Sequence, residues 1–261
     1  MQKQTITVMA DNQQLRVVIF GDMIKDAPCI VLLHGGLDCI ETWKDFPKEV
    51  VKATGLAVVV YERFGHGQSG QLNGEIRDIN YRHHEANVVL PQILGELGIQ
   101  RVILVGHSDG GAIALLAPKS LGEIVVGVCA ISPPLVAEET VRAGIKNAVT
   151  HYESGHLSKK LKLFHGDATE GLFYSWANTW MSEAFDNWSC DDDLGAIRCP
   201  VSLIFGLADE YGHQPSLDLL QARLMNAPDV TLIENSGHLS HHFARKEVLE
   251  SIKYLIEKIA L

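Results

Sequence analysis

A serine, an aspartate and a histidine occur in this chain in an order that suits acyl transfer. Ser108 lies between glycines in Gly106-His107-Ser108-Asp109-Gly110. Residues 101–105 before it are apolar and β-branched and read as a buried strand, while 111–117 are rich in helix formers. A G-x-S-x-G pattern at a sharp strand-to-helix turn presents the serine oxygen as a nucleophile. Side chains at the two glycine positions would collide with the neighbouring strand and helix. The first amides of the new helix face the point where negative charge develops during acyl transfer.

A serine hydroxyl needs a base, and the base needs an orienting carboxylate. The acid is expected just past the carboxyl end of a later strand, and Asp209 follows the strand-like run 201–205 and a turn glycine, Gly206. Glu210 is the adjacent competitor; the acidic run 191–193 has no strand before it and reads as a solvated face or helix cap. The base is expected on the loop after the next strand, where Gly237 precedes His238. His238 and His242 are spaced i, i+4, but no third or fourth ligand stands at metal-like spacing, so no metal is expected. His83 and His84 fall on a helix, and His107 lies inside the turn, where its backbone matters more than its ring. The oxyanion would take one amide from Asp109 and a second from Gly36, with Leu37 as the alternative, in the loop after the third strand.

These residues require a sheet whose strand ends converge. Strands are expected at 5–10, 14–20, 29–33, 56–61, 101–105, 124–131, 201–205 and 230–233, and helices at 41–54, 81–97, 216–224 and 245–260. Asp11-Asn12 is a turn-forming pair between the first two. Continuous apolar strands alternating with helices imply an α/β fold, a mostly parallel eight-stranded sheet covered by helices on both faces. Residues 137–197 interrupt the alternation with a mostly helical stretch carrying eight aromatic residues. Phe173, Trp176 and Trp180 share one helical face there. The organisation expected is a core of 1–136 and 198–261 with a helical cap of 137–197. Substrate contacts are expected from Leu37, His107, Asp109, Trp176 and Trp180.

The net charge of −10 over 261 residues argues against a nucleic-acid or anionic-membrane surface. No stretch approaches 18 consecutive apolar residues and the first five residues carry no apolar leader core. Five cysteines, an odd number without C-x-x-C spacing, favour a reducing compartment. A soluble, cytoplasmic protein acting on a small molecule is expected, with no feature that sets an oligomeric state.

Four separated segments resemble the α/β-hydrolase family: Leu32 to Gly36, Tyr61 to Gly70, Gly106 to Gly111 and Ser236 to His238. The Phe205-Gly206-x-x-Asp209 turn stands where that family carries its acid. The segment 62–69 resembles a structural D-x-R-G-x-G-x-S loop, with Glu62 in place of Asp and a second departure at Phe64. The serine at 108 is unlike the haloalkane dehalogenases and epoxide hydrolases of the family, which carry Asp there. The run Ser108-Asp109-Gly110-Gly111 is similar to the elbow of the biphenyl-hydrolase-like valacyclovir hydrolase group. That likeness implies that the Asp109 carboxylate receives a substrate amino group; the alternative is a carboxylate hydrogen-bonded into the scaffold. The expected activity is a carboxylesterase-like serine hydrolase that needs no cofactor and cleaves a small ester. The competing readings are a C–C bond hydrolase, lyase or cofactor-free oxygenase, and a non-catalytic ligand receptor.

Overall fold

The computed structural model describes residues 2–74 and 76–259. Eight strands form one sheet: β1 (Lys3–Ala10), β2 (Gln13–Phe20), β3 (Cys29–Leu33), β4 (Val58–Tyr61), β5 (Val102–His107), β6 (Val125–Ile131), β7 (Val201–Gly206) and β8 (Asp229–Ile233). Their order is β1-β2-β4-β3-β5-β6-β7-β8. β1 and β2 pair antiparallel, as do β2 and β4; the remaining pairs are parallel. The turn at Asp11-Asn12 has both residues at positive φ, 49° and 59°, a conformation that short polar side chains tolerate.

The helices are α1 (Phe46–Thr54), α2 (Tyr81–His84), α3 (Leu90–Glu96), α4 (Asp109–Leu116), α5 (Pro118–Leu121), α6 (Glu139–Glu153), α7 (His156–His165), α8 (Thr169–Met181), α9 (Asp191–Leu194), α10 (Gln214–Arg223), α11 (Ser240–Phe243) and α12 (Arg245–Glu257). Two expected helices are broken. The one anticipated at 41–54 is a 3-10 turn at Glu41–Trp43 followed by α1, because Lys44 adopts φ 54°. The one at 81–97 runs through a π-helical stretch, Glu85–Val89, before α3. Pro91 supplies no amide and crowds the carbonyl one turn back, so the ladder widens there. Residue 260, the anticipated end of the last helix, lies outside the described residues.

Strand side chains alternate between two buried layers. Ile30, Leu32, Val58, Val60, Ile103 and Val105 pack with Phe46, Val248 and Ile252 on one face. Val31, Leu33, Val59 and Leu104 pack with α4 on the other. That second layer continues without a break into the aromatics of 173–188, which α8, the 3-10 turn Glu183–Asn187 and Trp188 just past it supply within the helical stretch between β6 and β7. α4 is buried throughout and apolar beyond Asp109, which fits a helix enclosed between sheet and helical segment. Among the described residues no helix is long and apolar enough to cross a membrane, and the five cysteines are free thiols.

Two glycines let α4 approach the sheet. A Cβ on Gly110 would stand 2.0 Å from the Leu33 carbonyl oxygen, and one on Gly106 2.0 Å from the Gly110 carbonyl oxygen. Gly95, in contrast, has open space around it within α3. Gly110→Ala is therefore expected to destabilise by about 1–3 kcal/mol or more, whereas Gly95→Ala stabilises by about 0.5–1 kcal/mol. Urea unfolding of both variants gives the comparison; equal midpoints would refute the close-approach account.

Candidate active site

The strand β5 ends at His107, and the chain turns into α4 through Ser108 at φ 54°, ψ −121°. A non-glycine residue there stores about 1–3 kcal/mol of strain. The Ser108 amide donates to the Ile131 carbonyl at 2.9 Å, which extends the sheet ladder one residue past the strand and fixes the turn. Across the sheet, the loop after β7 carries Asp209 and the loop after β8 carries His238. These loops are bound together by Leu207 N–H to Ile233 O at 3.0 Å and Ala208 N–H to Ser236 O at 2.9 Å. His238 Nδ1 lies 2.8 Å from Asp209 Oδ2. The Tyr211 amide donates to the other Asp209 oxygen at 2.9 Å.

Ser108 and His238 line a common cavity of about 170 Å³. Leu37, His107, Asp109, Trp176 and Trp180 line it too; Phe173, on the same helix, instead stacks on Tyr152 at 3.8 Å. Burial alone would lower the pKa of His238. The hydrogen bond and charge of Asp209, aided by Glu210 and Asp38, outweigh it and raise the imidazole above its ordinary value. Burial likewise works against ionised Asp209, and its contacts with His238 and the Tyr211 amide overcome this and lower its pKa. Glu210 is exposed and reaches the His238 amide at 3.4 Å, whereas Asp209 holds the ring.

The loop after β3 closes as a turn from Gly35 to Asp38, with Asp38 N–H to Gly35 O at 3.2 Å and Gly35 N–H to Asp38 Oδ2 at 3.2 Å. Its carbonyls are held from behind. Arg63 Nη2 donates to His34 O at 3.0 Å and Gly35 O at 2.7 Å, and His66 Nε2 lies 3.1 Å from Gly36 O. In a trans peptide the N–H points opposite to the C=O, so the Gly36 and Leu37 amides are turned away from these side chains. Gly36 has no room for a side chain: a Cβ would stand 2.6 Å from Trp176 Cδ1.

The Asp109 carboxylate is buried and accepts the Tyr81 hydroxyl at 2.7 Å, with Arg63 and Arg82 each 3.9 Å away. Arg82 is wholly buried. Its guanidinium lies 3.8 Å from the Trp188 ring centre, 4.8 Å from Trp180 and 5.1 Å from Phe185, and Nη1 donates to Pro134 O at 2.8 Å. His107 Nδ1 faces Asp38 Oδ2 at 3.3 Å and Nε2 faces the His238 carbonyl at 3.1 Å. The pKa of Asp38 is opposed by burial but held well below the usual carboxylate range by His107, with His241 and His34 adding to it. Sequence reasoning missed Asp38 and Tyr211, although each stands two residues beyond a residue it singled out. Asp193 also differs from a solvated run, being buried against Lys119 at 3.0 Å and His83 at 3.2 Å.

Cys39, Glu41 and Glu62 bring three ligand-type atoms within 4.8 Å of one another. A cation is already among them, since Arg16 Nη1 lies 2.7 Å from Glu41 and 3.2 Å from Glu62. Buried Glu62 also accepts the amides of Ile40 at 3.3 Å and Gln68 at 2.9 Å. It thereby braces the loop at 62–69 against residue 40.

Residues 30–251 match the alpha/beta hydrolase family, and the chain belongs to that family. It is similar to protein phosphatase methylesterase 1 of Bos taurus, 29% identical over 108 residues, covering 41% of this chain and 28% of the methylesterase. It is also similar to a 2-hydroxy-6-oxononadienedioate/2-hydroxy-6-oxononatrienedioate hydrolase of Burkholderia vietnamiensis, 30% identical over 175 residues, covering 63% of this chain and 58% of that protein. The chain thus spans about a quarter to three-fifths of these relatives' length. The fold is shared with MGS-M2, an alpha/beta hydrolase enzyme from a Medee basin deep-sea metagenome library, with a TM-score of 0.77, 17% identity and 98% of each chain covered.

The contact with Asp209 sets a test of the electrostatics. The imidazole of His238, followed by proton NMR, is expected to titrate above about 6.5. In Asp209→Asn only burial and weaker charges remain, and the midpoint is expected to fall. An unchanged midpoint would contradict the assigned cause.

Proposed function

We propose that the protein is a serine hydrolase that cleaves small carboxylic esters through an acyl-enzyme on Ser108. The observation that carries this reading is the His238–Asp209 contact at 2.8 Å in the loops beside a strained Ser108 lining the same cavity. His238 Nε2 takes the proton of Ser108 Oγ as it attacks the ester carbonyl. Asp209 holds Nδ1–H and stabilises the imidazolium. The amides of Gly36 and Asp109 receive the oxyanion, a contribution of about 3–4 kcal/mol per donor. His238 then protonates the departing alcohol, and a water deprotonated by His238 frees the acid. The scheme draws on no metal or organic cofactor. In this reading 137–197 is a cap, and Trp176 and Trp180 from it wall the acyl or alcohol pocket. The free thiols support a reducing, cytoplasmic setting.

The methylesterase named among the relatives favours ester hydrolysis. The cavity lining favours it over the diacid substrate in the Burkholderia protein's name. Among the described lining residues there is no lysine or arginine, while Asp38, Asp109 and Glu210 are present. A substrate carboxylate would meet exposed Glu210 with no lysine or arginine in the lining to answer it. Arg63 and Arg82 stand behind Asp109 and its oxygen accepts Tyr81, which favours the scaffold role for that carboxylate. Exposed Glu210 is better placed to meet a cationic group.

A fluorophosphonate probe and a short p-nitrophenyl ester test the reaction. Labelling and turnover are expected in the wild type and in neither assay for Ser108→Ala; a wild type inert in both would end the esterase reading. The acid limb of kcat/KM is expected above about pH 6.5, since neutral His238 is required and its pKa is raised. The charge argument is tested with paired substrates. A neutral ester is expected to outpace a half-ester of a dicarboxylic acid by on the order of tenfold at low salt, and Glu210→Gln to narrow the gap. Equal rates would contradict selection by charge.

A further inference from the structure

His165 is the last residue of α7, and it leaves its own helix to bind two loops of the core. The ring is buried, and both nitrogens are engaged. Gly67 N–H donates to Nδ1 at 2.9 Å, which fixes the neutral ring's proton on Nε2, and Nε2–H donates to Leu37 O at 3.0 Å. The peptide between Leu37 and Asp38 is the exit of the Gly35 to Asp38 turn, and its N–H closes that turn onto Gly35 O. The two inner residues of the turn are Gly36 and Leu37, the candidate donors to the oxyanion. Arg63 and His66 hold the carbonyls of Gly35 and Gly36, so His165 completes the set from the helical segment. The rest of α7 offers little to anchor it: only Leu161 and His165 are buried, and Leu163 is 82% exposed. Trp176, from the next helix, presses on Gly36 from the cavity side.

We propose that His165 is a positioning residue that ties the oxyanion turn to the helical segment, so that the Gly36 and Leu37 amides are aimed only when that segment is seated on the core. This rests on the hydrolase reading for its effect on rate, but the geometry it asserts is independent of it. A phenylalanine at 165 keeps a ring of similar size and loses both hydrogen bonds; a glutamine keeps a donor and an acceptor.

The test uses the full chain as wild type, His165→Phe and His165→Gln, with p-nitrophenyl butyrate as substrate. For His165→Phe, kcat is expected to fall about 10- to 100-fold, the scale of a misaimed donor, with KM changed by less than about threefold. His165→Gln is expected to recover kcat to within about threefold of wild type, since the two hydrogen bonds return. The backbone amide resonances of Gly36 and Leu37 are expected to move in His165→Phe and to return in His165→Gln. A phenylalanine variant with wild-type kcat, or with unmoved Gly36 and Leu37 amides, overturns the proposal; so does a glutamine variant as slow as the phenylalanine one. If His165→Phe does not fold, the glutamine variant alone decides by the same rate and resonances. If the wild type turns over no ester, the hydrolase reading fails and the amide resonances still decide the coupling.

Discussion

The contact between the first turn of α4 and the end of β3 is the constraint on which the site depends. Backbone meets backbone there, because Gly110 has no room for a methyl group against Leu33, and neither has Gly106 of β5 against Gly110. That approach turns the chain sharply enough to leave Ser108 at a positive φ, with the first amides of α4 beside it. Parallel pairing then carries the position across the sheet. Ser108 N–H bonds Ile131 O, Ser132 N–H bonds Ile204 O, and Leu207 N–H bonds Ile233 O, so each strand end is registered on the next. Asp209 and His238 are consequently brought together by the same ladder that builds the core.

A second layer of organisation is electrostatic and lies beneath the cavity floor. Burying an ion costs several kcal/mol unless charge and hydrogen bonds answer it. Here the Asp109 carboxylate is answered by Tyr81, Arg63 and Arg82, and Arg82 by four aromatic rings and a carbonyl. The rings of Trp180, Phe185 and Trp188 belong to the helical segment, whereas Tyr81 and Arg82 belong to the core chain before β5. One buried cation therefore joins the two parts of the fold, and the carboxylate beside Ser108 lies within reach of that junction.

What the sequence revealed followed the range of the interactions involved. Buried strands such as 29–33 announced themselves because sheet burial on both faces needs an unbroken apolar run. Ser108, Asp209 and His238 were found by the same logic, each just beyond such a run, and the structure gathers the residues at 108 and 238 around one cavity with 209 against 238. Broken helices were missed because their causes are single residues: a positive φ at Lys44, and a proline at 91 whose effect is felt a turn earlier. The partners of Asp109 and the grips on the 34–37 carbonyls were not legible. They join positions such as 37 and 165, which no local pattern connects.

The aromatic enclosure of Arg82 bears on how such a fold can change its substrate over generations. A helical insertion between two strands looks like a module that could be exchanged whole for another. In this chain an exchanged segment would have to bring three rings to face the same guanidinium, and a histidine to face Leu37. Otherwise the core would keep a buried cation and a turn with an unanswered carbonyl. The unit that must change together is thus the segment with residues 62–82, whereas Val141, Ile145 and Leu239 bring only apolar side chains to the cavity wall.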